Sequence, residues 1–463
     1  MSKKNKISIF IFRRDLRLED NTGLINALKD SDKVIPLFIF TDKQIETNEY
    51  KSNNAIQFMI DSLKDLNINL ENSNGKLHIF KGENLKILKD LISKLDIDSI
   101  YVNTDYTPFS INRDREIEEL CKDNDVDFNS FHDYMLNPPQ KVLKANGEPY
   151  TIFTPYYRRA LYEKIEKPIE NKFTNYYNKD IESSISLDEI ESKILPERNN
   201  QILRKGGRDE AFKVLEDRKS SLNHYDEKRD FPSIKGTSTL SAHNKFGTIS
   251  IRELYYYFKD NLRDSEPIIR ELYWRDFYLQ IAYHFPKVFG KEFNQKYEKV
   301  KWEDNESNFK AWCQGLTGFP IVDAGMRELN STGYMHNRVR MIVASFLTKD
   351  LHIDWRLGEK YFAQKLTDYD PSVNNGSWQW AASTGCDAQP YFRIFNPWLQ
   401  QKRFDEDCEY IKKWVPELKN IDVKSIHKLN EQRPLTLTND YPKPIVKHSE
   451  EKDKAISYYK EIK

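Results

Sequence analysis

Residues 7–12, with the sequence ISIFIF, form a continuous apolar run near the start of the chain. Comparable short runs recur at 34–40, 77–80, 99–102 and 128–136. Between them lie amphipathic stretches, such as 84–96 and 111–121, whose apolar residues recur at helical spacing. Short apolar runs that alternate with helical patterns are typical of parallel strands buried on both faces. The alternation predicts a doubly wound parallel α/β domain, and no G-x-G-x-x-G motif follows the first run to indicate dinucleotide binding.

The pattern changes at residue 137. Prolines interrupt charged, tyrosine-rich sequence up to about residue 200, which indicates a long connection with short helices. Beyond residue 201 the segments have helical patterns, and all eight tryptophans of the chain lie after residue 273. The sequence therefore predicts an α/β domain over 1–136, a linker over 137–200 and an all-α domain over 201–463 that carries the aromatic chemistry.

Composition limits the class of protein. The 72 basic and 72 acidic side chains cancel, so attraction to a polyanion must come from a local patch. No apolar run approaches the roughly 18 residues of a membrane helix, and the start of the chain is unlike a signal peptide. The four cysteines are far apart, so neither a disulfide framework nor a metal site is indicated. We expect a monomer without membrane attachment that is cytoplasmic or, in a eukaryote, nuclear.

Residues 374–397, NNGSWQWAASTGCDAQPYFRIFNP, are unusually rich in Asn, Gly and Trp. Tryptophan supplies a rigid apolar face, Asn supplies donors and acceptors, and Gly lets the backbone approach a ligand closely. The segment is typical of a site that surrounds a flat, polar ligand.

A helix predicted over residues 268–284 places Glu271, Trp274, Arg275 and Tyr278 on one face, at i, i+3, i+4 and i+7. A solvated face with one salt bridge explains this pattern about as well as a binding surface does. The indole favours the binding surface, because a large apolar ring is seldom left exposed to solvent without a ligand to contact.

A second helix, predicted over 337–347, has Val339, Ile342, Val343 and Phe346 on its core side. Its other side holds an amide, a guanidinium, a thioether and a small residue, which suit a pocket wall against a flat ligand. A helix edge with a surface arginine is an equally good interpretation. The residues of that side are Asn337, Arg340, Met341 and Ala344.

Two further segments are ambiguous by themselves. The hydroxyl-rich GTSTLS at 236–241 could bind phosphate at a helix start, although Ser and Thr cap helices far more often. Asp368 and Asp370 form a D-x-D pair that suits helix capping, ring N–H acceptance or, least of all, metal binding.

Five motifs occur together in the chain: FRRDLRLEDN at 12–21, RDFPSIKGTSTLS at 229–241, ELYWRDFY at 271–278, GMRELNSTGYMHNRVRM at 325–341, and the segment 374–397. With these motifs the chain resembles the photolyase/cryptochrome family over nearly its whole length, and most closely the class I cyclobutane pyrimidine dimer (CPD) photolyases. Their joint occurrence in this order is highly specific.

The resemblance implies an N-terminal antenna-chromophore domain and a helical domain that holds FAD in a folded conformation. It places Asn374 beside the flavin N5, and cationic and amide donors there favour the anionic reduced flavin. The chain departs from close relatives at Ile268, where they have an aromatic residue. The implied FAD-binding residues are Tyr225, Thr237, Ser238, Thr239, Leu240, Ser241, Arg275, Asn337, Arg340, Asp368, Tyr369, Asp370 and Asn374.

Trp302, Trp355 and Trp378 match the family's electron-relay tryptophans. Indoles suit this task because they can be oxidised without leaving the stack. From sequence alone, ordinary core packing is the favoured explanation for any one of them.

The substrate implied by the resemblance is DNA that contains UV-induced pyrimidine dimers. Relatives that repair (6-4) photoproducts have histidines where this chain has Asn337 and Met341, so that proton donor is missing. The match is to the CPD pocket, in which Glu271 donates to the dimer carbonyls and the lesion is flipped out of the duplex. Excited reduced FAD gives the dimer one electron, the ring splits, and the electron returns. The implied DNA-binding residues are Arg229, Trp274, Tyr278, Arg338, Trp380 and Gln400.

Three alternatives are weaker. A cryptochrome photoreceptor is disfavoured by Asn374, where many signalling members carry Asp or Cys, and by the short sequence after the last strong helical motif. A (6-4) photolyase lacks its histidines here, and a redox flavoprotein lacks a nicotinamide site.

The antenna chromophore is less well defined by the sequence. Folate-binding relatives carry an Asn-Glu pair where this chain has Phe109 and Ser110. The residues at these two positions therefore do not support folate binding. We expect a second chromophore, with deazaflavin, FMN and folate as candidates and an empty site as the alternative.

Overall fold

A computed structural model describes residues 4–432, 434, 437 and 441–462. The chain divides into two compact units. The first unit comprises Met1–Asn199, Arg204–Lys219 and Ser238–Pro286, and the second comprises Asn200–Leu203, Ser220–Thr237 and Lys287–Lys463. Within the described residues no helix is both long and apolar enough to cross a membrane.

The first unit contains a five-stranded parallel sheet, as far as the described residues go, with the order β3-β2-β1-β4-β5. β1 pairs with β2 and β4, so the strand order reverses beside the first strand, as in a doubly wound fold. This confirms the predicted fold class. The strands are β1 Asn5–Ile11, β2 Ser31–Phe40, β3 His78–Lys81, β4 Ser99–Asn103 and β5 Asp127–Phe131.

The last strand is shorter than predicted. β5 ends at Phe131, whereas the apolar run continues to residue 136. The backbone N–H groups of Leu136 and Asn137 donate to the carboxylate of Asp276, at 2.8 Å and 3.3 Å, instead of to a neighbouring strand. A buried side chain therefore satisfies the backbone that the sequence pattern assigns to the sheet.

Helices cover the sheet and continue along the chain to His284. The predicted helices at 84–96 and 111–121 are both present, with slightly different ends. The helices are α1 Thr22–Asp30, α2 Asp42–Ile45, α3 Asn53–Asn72, α4 Asn84–Leu95, α5 Pro108–Asp123, α6 Phe153–Ala160, α7 Leu187–Ile194, α8 Arg208–Leu222, α9 Tyr225–Lys228, α10 Ser241–Phe246, α11 Ile251–Asn261 and α12 Glu266–His284.

The loop after β1 is held by buried ion pairs. Arg17 lies 2.5 Å from Asp133, and Arg252 on α11 lies 2.7 Å from the same carboxylate and 3.0 Å from Asp20. Arg17, Asp20 and Asp133 are almost fully buried, so removal of one partner would leave an uncompensated charge in the interior. The motif at 12–21 therefore has a structural role within the first unit.

The proline-rich segment 137–200 contains two short helices, α6 and α7, as the sequence indicates. It belongs to the first compact unit. Tyr176 forms an isolated bridge with Val34 of β2, so part of the segment runs beside the sheet.

The second unit is helical where it is described. Its core is built from Trp312, Phe346, Trp355, Phe362 and Trp378 with many aliphatic residues. Short 3₁₀ turns lie at Pro286–Val288, Gln295–Lys299 and Pro416–Leu418. The remaining helices are α13 Glu306–Gln314, α14 Pro320–Thr332, α15 Asn337–Ser345, α16 Trp355–Lys365, α17 Pro371–Ala382, α18 Pro397–Phe404, α19 Glu409–Trp414, α20 Val423–His427 and α21 His448–Lys460.

The predicted helix at 337–347 changes character near its end. α15 ends at Ser345 and continues as a π-helical turn over Phe346–Asp350. The hydroxyl of Thr348 donates to the carbonyl oxygens of Ala344 and Ser345, at 2.9 Å and 3.4 Å. Such back-bonding competes with the regular helical ladder, and π turns are frequent near functional sites.

Candidate functional site

The candidate surface of the first unit lies on α12. Glu271, Trp274 and Arg275 are partly exposed along this helix, whereas Tyr278 is buried. Tyr278 lies on the same face as the indole, with ring centroids 5.8 Å apart, but it is covered by its neighbours.

Arg275 is fixed by contacts with the segment that follows β5. Its Nη1 donates to the carbonyl oxygen of Tyr134 at 2.8 Å and to Asp276 at 3.3 Å, and its guanidinium lies 3.8 Å from the Tyr134 ring centre. Burial raises the pKa of Asp276 to about 7, against the opposing effect of Arg275 and two backbone donors. The arginine is thus held in place before any ligand binds.

Trp274 has a neighbour that the sequence did not indicate. Phe153, the first residue of α6, lies face to face with the indole, with centroids 3.6 Å apart and planes 7° apart. Its position in a proline-rich segment gave no periodic pattern that could have revealed it.

The hydroxyl segment at 236–241 leads into α10, as predicted, but that helix has only six residues. Thr239 has a positive φ of 56°, and its hydroxyl accepts from Arg204 Nε at 2.9 Å. Thr237, Ser238 and Thr239 are partly buried, whereas Leu240 is buried and Ser241 is exposed. A positive φ is uncommon for a β-branched residue, so the backbone at Thr239 departs from a regular helix start.

In the second unit, α15 has the predicted division of faces. Val339, Ile342 and Val343 are fully buried. Asn337 is exposed and Met341 is partly exposed, so both remain accessible to a ligand. His336 caps the helix, its Nδ1 accepting from the backbone N–H of Arg338 at 3.2 Å.

Arg340 on α15 is paired with Asp368. Their closest atoms lie 2.9 Å apart, and Arg340 Nε donates to the carbonyl oxygen of Met335 at 2.8 Å. Burial by itself would lower the pKa of Arg340, but Asp368 outweighs it and the pKa is raised. The pair keeps a fixed positive group on this face. Tyr369, the next residue, donates to Glu359 at a long 3.5 Å.

Asn374 on α17 is buried and oriented. Its Nδ2 donates to both the backbone oxygen and the carboxylate of Glu359, at 3.1 Å and 3.0 Å. Because both partners are acceptors, the amide nitrogen must face them, which leaves the carbonyl oxygen to accept from a ligand. Asp370 caps this helix by accepting from the backbone N–H groups of Ser372 and Val373. Among its three possible roles, Asp370 thus takes the capping one.

Two of the three relay candidates are core residues. Trp355 and Trp378 are buried, whereas Trp302 is partly buried and packs against the same core. Trp378 meets Phe362 edge to face at 4.9 Å, and Trp355 Nε1 donates to Glu292 at a long 3.4 Å.

The candidate DNA-contacting arginines of the second unit already have acidic neighbours. Arg338 lies 2.7 Å from Asp230, and Arg229 lies 3.5 Å from Asp226. Arg229 also lies over the ring of Tyr225, with its Cζ 5.7 Å from the ring centre. Both carboxylates are more exposed than their arginines, so a phosphate can compete for the guanidinium groups. Trp380 and Gln400 are partly buried.

The residues present fit a flavin. In the described part of the chain, Arg275 Nη2 and Ser372 Oγ are buried polar atoms without a hydrogen-bond partner. Each of these donors is available to an acceptor oxygen or nitrogen of a ligand. The Asn374 carbonyl oxygen supplies an acceptor for a ring N–H. No cluster of three or more metal-ligating side chains occurs among the same residues.

A parallel α/β sheet and a helical unit with an oriented amide, an ion-paired arginine and buried indoles suit a protein that binds a flat, polar cofactor such as a flavin. The family models agree with this class. Residues 8–172 match the DNA photolyase model, and residues 268–461 match the model for the FAD binding domain of DNA photolyase.

Relatives extend the match to the full chain. A deoxyribodipyrimidine photo-lyase of Alkalihalophilus pseudofirmus is 38% identical over 99% of this chain and 99% of its own length. The chain belongs to the DNA photolyase family. An archaeal photolyase from Sulfolobus tokodaii, crystallised with two FAD molecules, is 44% identical with a TM-score of 0.88, and covers 98% of this chain and 100% of its own. A class III photolyase from Agrobacterium tumefaciens is 35% identical with a TM-score of 0.92. The match covers 100% of this chain and 98% of that photolyase.

Proposed function

We propose that this chain is a deoxyribodipyrimidine photo-lyase, which splits cyclobutane pyrimidine dimers in DNA with the energy of light. The observation that carries the proposal is the similarity to a deoxyribodipyrimidine photo-lyase over 99% of the chain. The active protein is a monomer that works inside the cell, where its DNA substrate is found, without membrane attachment.

The FAD site is assigned to residues whose contacts suit a flavin. Asn374, held by Glu359, offers its carbonyl oxygen to the N5–H of the reduced ring. Arg340, charged and paired with Asp368, and Arg275, with an unpaired Nη2, favour an anionic ligand. The hydroxyls at 237–241 suit the phosphates. The other assigned contacts are Tyr225, Asn337, Tyr369 and Asp370.

The dimer site is assigned to Glu271, Trp274, Asn337 and Met341. The chemistry that reduced FAD supplies when bound is a light-released electron, which splits the cyclobutane ring and then returns. Glu271 donates a hydrogen bond to a dimer carbonyl and so stabilises the added negative charge. Trp274 and Trp380 stack on the flipped bases, and Met341 closes the pocket against water. Arg229, Tyr278, Arg338 and Gln400 hold the DNA beside it.

Trp302, Trp355 and Trp378 are assigned as the path that delivers electrons to FAD. Their support is the shared aromatic core, in which Trp302 is the most exposed and Trp378 almost fully buried. An exposed and a buried end are what a path from the surface to an interior cofactor requires.

The first unit is proposed to bind a second chromophore. The Sulfolobus tokodaii photolyase contains two FAD molecules, which makes a second flavin a candidate beside deazaflavin, FMN and folate. Mass spectrometry of the extracted chromophores identifies it and measures the FAD content in the same experiment.

The test of the function is repair of an oligonucleotide that contains a thymine dimer. Reduced protein under near-UV or blue light should restore the thymines, whereas the dark sample should not. Glu271→Ala should lower the repair yield and leave FAD bound. Repair in the dark, or none at full flavin occupancy, would show that the chain has another activity, such as light sensing.

A further inference from the structure

Phe153 and Trp274 form the closest face-to-face aromatic contact around the proposed dimer site. The ring centroids are 3.6 Å apart and the planes differ by 7°. Phe153 is 1% exposed, whereas Trp274 is partly exposed. One face of the indole is therefore covered by a buried ring, and part of Trp274 stays exposed.

Phe153 is itself held on several sides. The Phe277 ring meets it edge to face at 5.8 Å, and the Tyr157 ring lies parallel to it at 5.6 Å. The Arg270 guanidinium lies 5.5 Å from its ring centre. These neighbours leave the Phe153 ring little room to move away from the indole.

Hydrogen bonds fasten both ends of this region to α12. The Tyr157 hydroxyl donates to Glu266 at 2.9 Å, and Gln280 Nε2 donates to the carbonyl oxygen of Tyr150 at 2.7 Å. Helix α6 therefore lies along α12 with Phe153 directly behind Trp274. A segment with the sequence features of a linker forms part of the wall that supports the indole.

A fixed indole matters for stacking, because a side chain that is free to rotate must lose that freedom when a base stacks on it. Contact with Phe153 along a whole face removes the alternative orientations before DNA binds. Sites are effective when the side chains behind the contacting group lock its rotamer.

We propose that Phe153 is a positioning residue of the dimer site, which holds Trp274 so that the opposite face of the indole stacks on the pyrimidine dimer. This inference rests on the proposed function. Phe153 does not touch the DNA, and its effect passes entirely through Trp274.

The experiment measures dissociation constants in the dark for an oligonucleotide with one thymine dimer and for the same oligonucleotide without damage. Phe153→Leu keeps an apolar side chain but removes the ring. We expect about three- to tenfold weaker binding of the damaged DNA, the range that an aromatic pair contributes. Binding of undamaged DNA and FAD content should not change, because phosphate contacts and the flavin site are not involved.

Two further variants separate positioning from packing. Phe153→Tyr retains the ring and should bind damaged DNA like the wild type. Phe277→Leu removes an equally buried ring that meets the indole edge to face, at 5.8 Å and 86°. It should weaken that binding by less than Phe153→Leu does, because the Phe153 ring itself stays on the face of Trp274, with Tyr157 and Arg270 still beside it. Equal losses in Phe277→Leu and Phe153→Leu would overturn the inference in favour of general packing.

A double-mutant cycle gives the decisive comparison. In a Trp274→Ala background, Phe153→Leu should have no further effect on damaged DNA, because the group it positions is gone. A full additional loss in that background, or normal binding by Phe153→Leu itself, overturns the inference while the proposed function stands. A wild-type protein that does not prefer damaged DNA overturns the proposed function, and the inference with it.

Discussion

Gly358 provides a direct test of the packing around Trp378. This glycine lies inside α16 and is buried. A Cβ built on it would lie 2.2 Å from Cη2 and 2.5 Å from Cζ3 of Trp378, and 2.5 Å from Cδ2 of Leu347. Ordinary contacts begin at 3.4 Å, so Gly358→Ala obliges the indole to retreat by roughly 1.2 Å.

Two opposing effects set the stability of Gly358→Ala. Alanine in a helix interior is favoured over glycine by about 1 kcal/mol. Overpacking a core costs about 1–3 kcal/mol. The indole cannot retreat freely, because Trp378 is 2% exposed and meets Phe362 at 4.9 Å. We expect the steric cost to exceed the helical gain, so that the free energy of unfolding falls by up to about 2 kcal/mol.

The assay combines urea denaturation with the rate of FAD photoreduction under blue light. If Trp378 carries electrons to FAD, its displacement should slow photoreduction several-fold, whereas dimer repair by chemically reduced enzyme should be spared. Gly325→Ala is the matched control. It is also a buried helical glycine, and its Cβ would lie 2.4 Å from Val339 Cγ1 and 3.1 Å from Val343 Cγ1, with no tryptophan among its nearest contacts.

The two variants should lose similar stability but differ in photoreduction. A Gly358→Ala protein that is about 1 kcal/mol more stable than the wild type would refute the packing reasoning, since helix propensity alone would then account for its change in stability. Equal photoreduction rates in Gly358→Ala and Gly325→Ala would refute the role of Trp378 in electron delivery.

Three further predictions concern the polar groups of the second unit. Burial lowers the pKa of His336 to about 4 from 6.5, so only the unfolded chain takes up a proton between these values. The free energy of unfolding should therefore fall by up to about 3 kcal/mol as the pH drops through this window. His336→Asn, which keeps a capping oxygen, should flatten that profile in urea denaturation, and an unchanged profile would contradict the assignment. Asp230→Asn removes the carboxylate 2.7 Å from Arg338 and should strengthen DNA binding at low salt with a steeper salt dependence, whereas weaker binding would mean that Asp230 orients the arginine. Glu359→Ala releases the Asn374 amide and should make reduced FAD reoxidise faster in air, and an unchanged rate would disprove this orienting role.

Several features could be read from local sequence. The runs at 7–12, 34–40 and 99–102 predicted buried parallel strands, and the sheet contains them. The division of faces on α15 followed from helical spacing alone. These predictions succeeded because burial on one side of a helix or both sides of a strand leaves a period in the sequence.

Other features depend on partners distant in the chain. Residues 132–136 continue an apolar run, yet β5 ends at Phe131, and Asp276 instead of a strand accepts the backbone N–H groups of Leu136 and Asn137. Tyr278 shares a helical face with Glu271 and Trp274, as the spacing predicts, but the spacing does not show that Tyr278 is buried. Neither the end of β5 nor the burial of Tyr278 leaves a pattern in the local sequence, since each depends on residues that are distant in the chain.

The sequence by itself determined the fold class and, through the joint occurrence of its motifs, the family. Only the tertiary structure decided how the candidate side chains are held: Phe153 behind Trp274, Glu359 behind Asn374 and Asp368 beside Arg340. The physical reason is that periodic burial is a local property of a strand or helix, whereas the orientation of a side chain is set by atoms that folding brings to it from elsewhere in the chain.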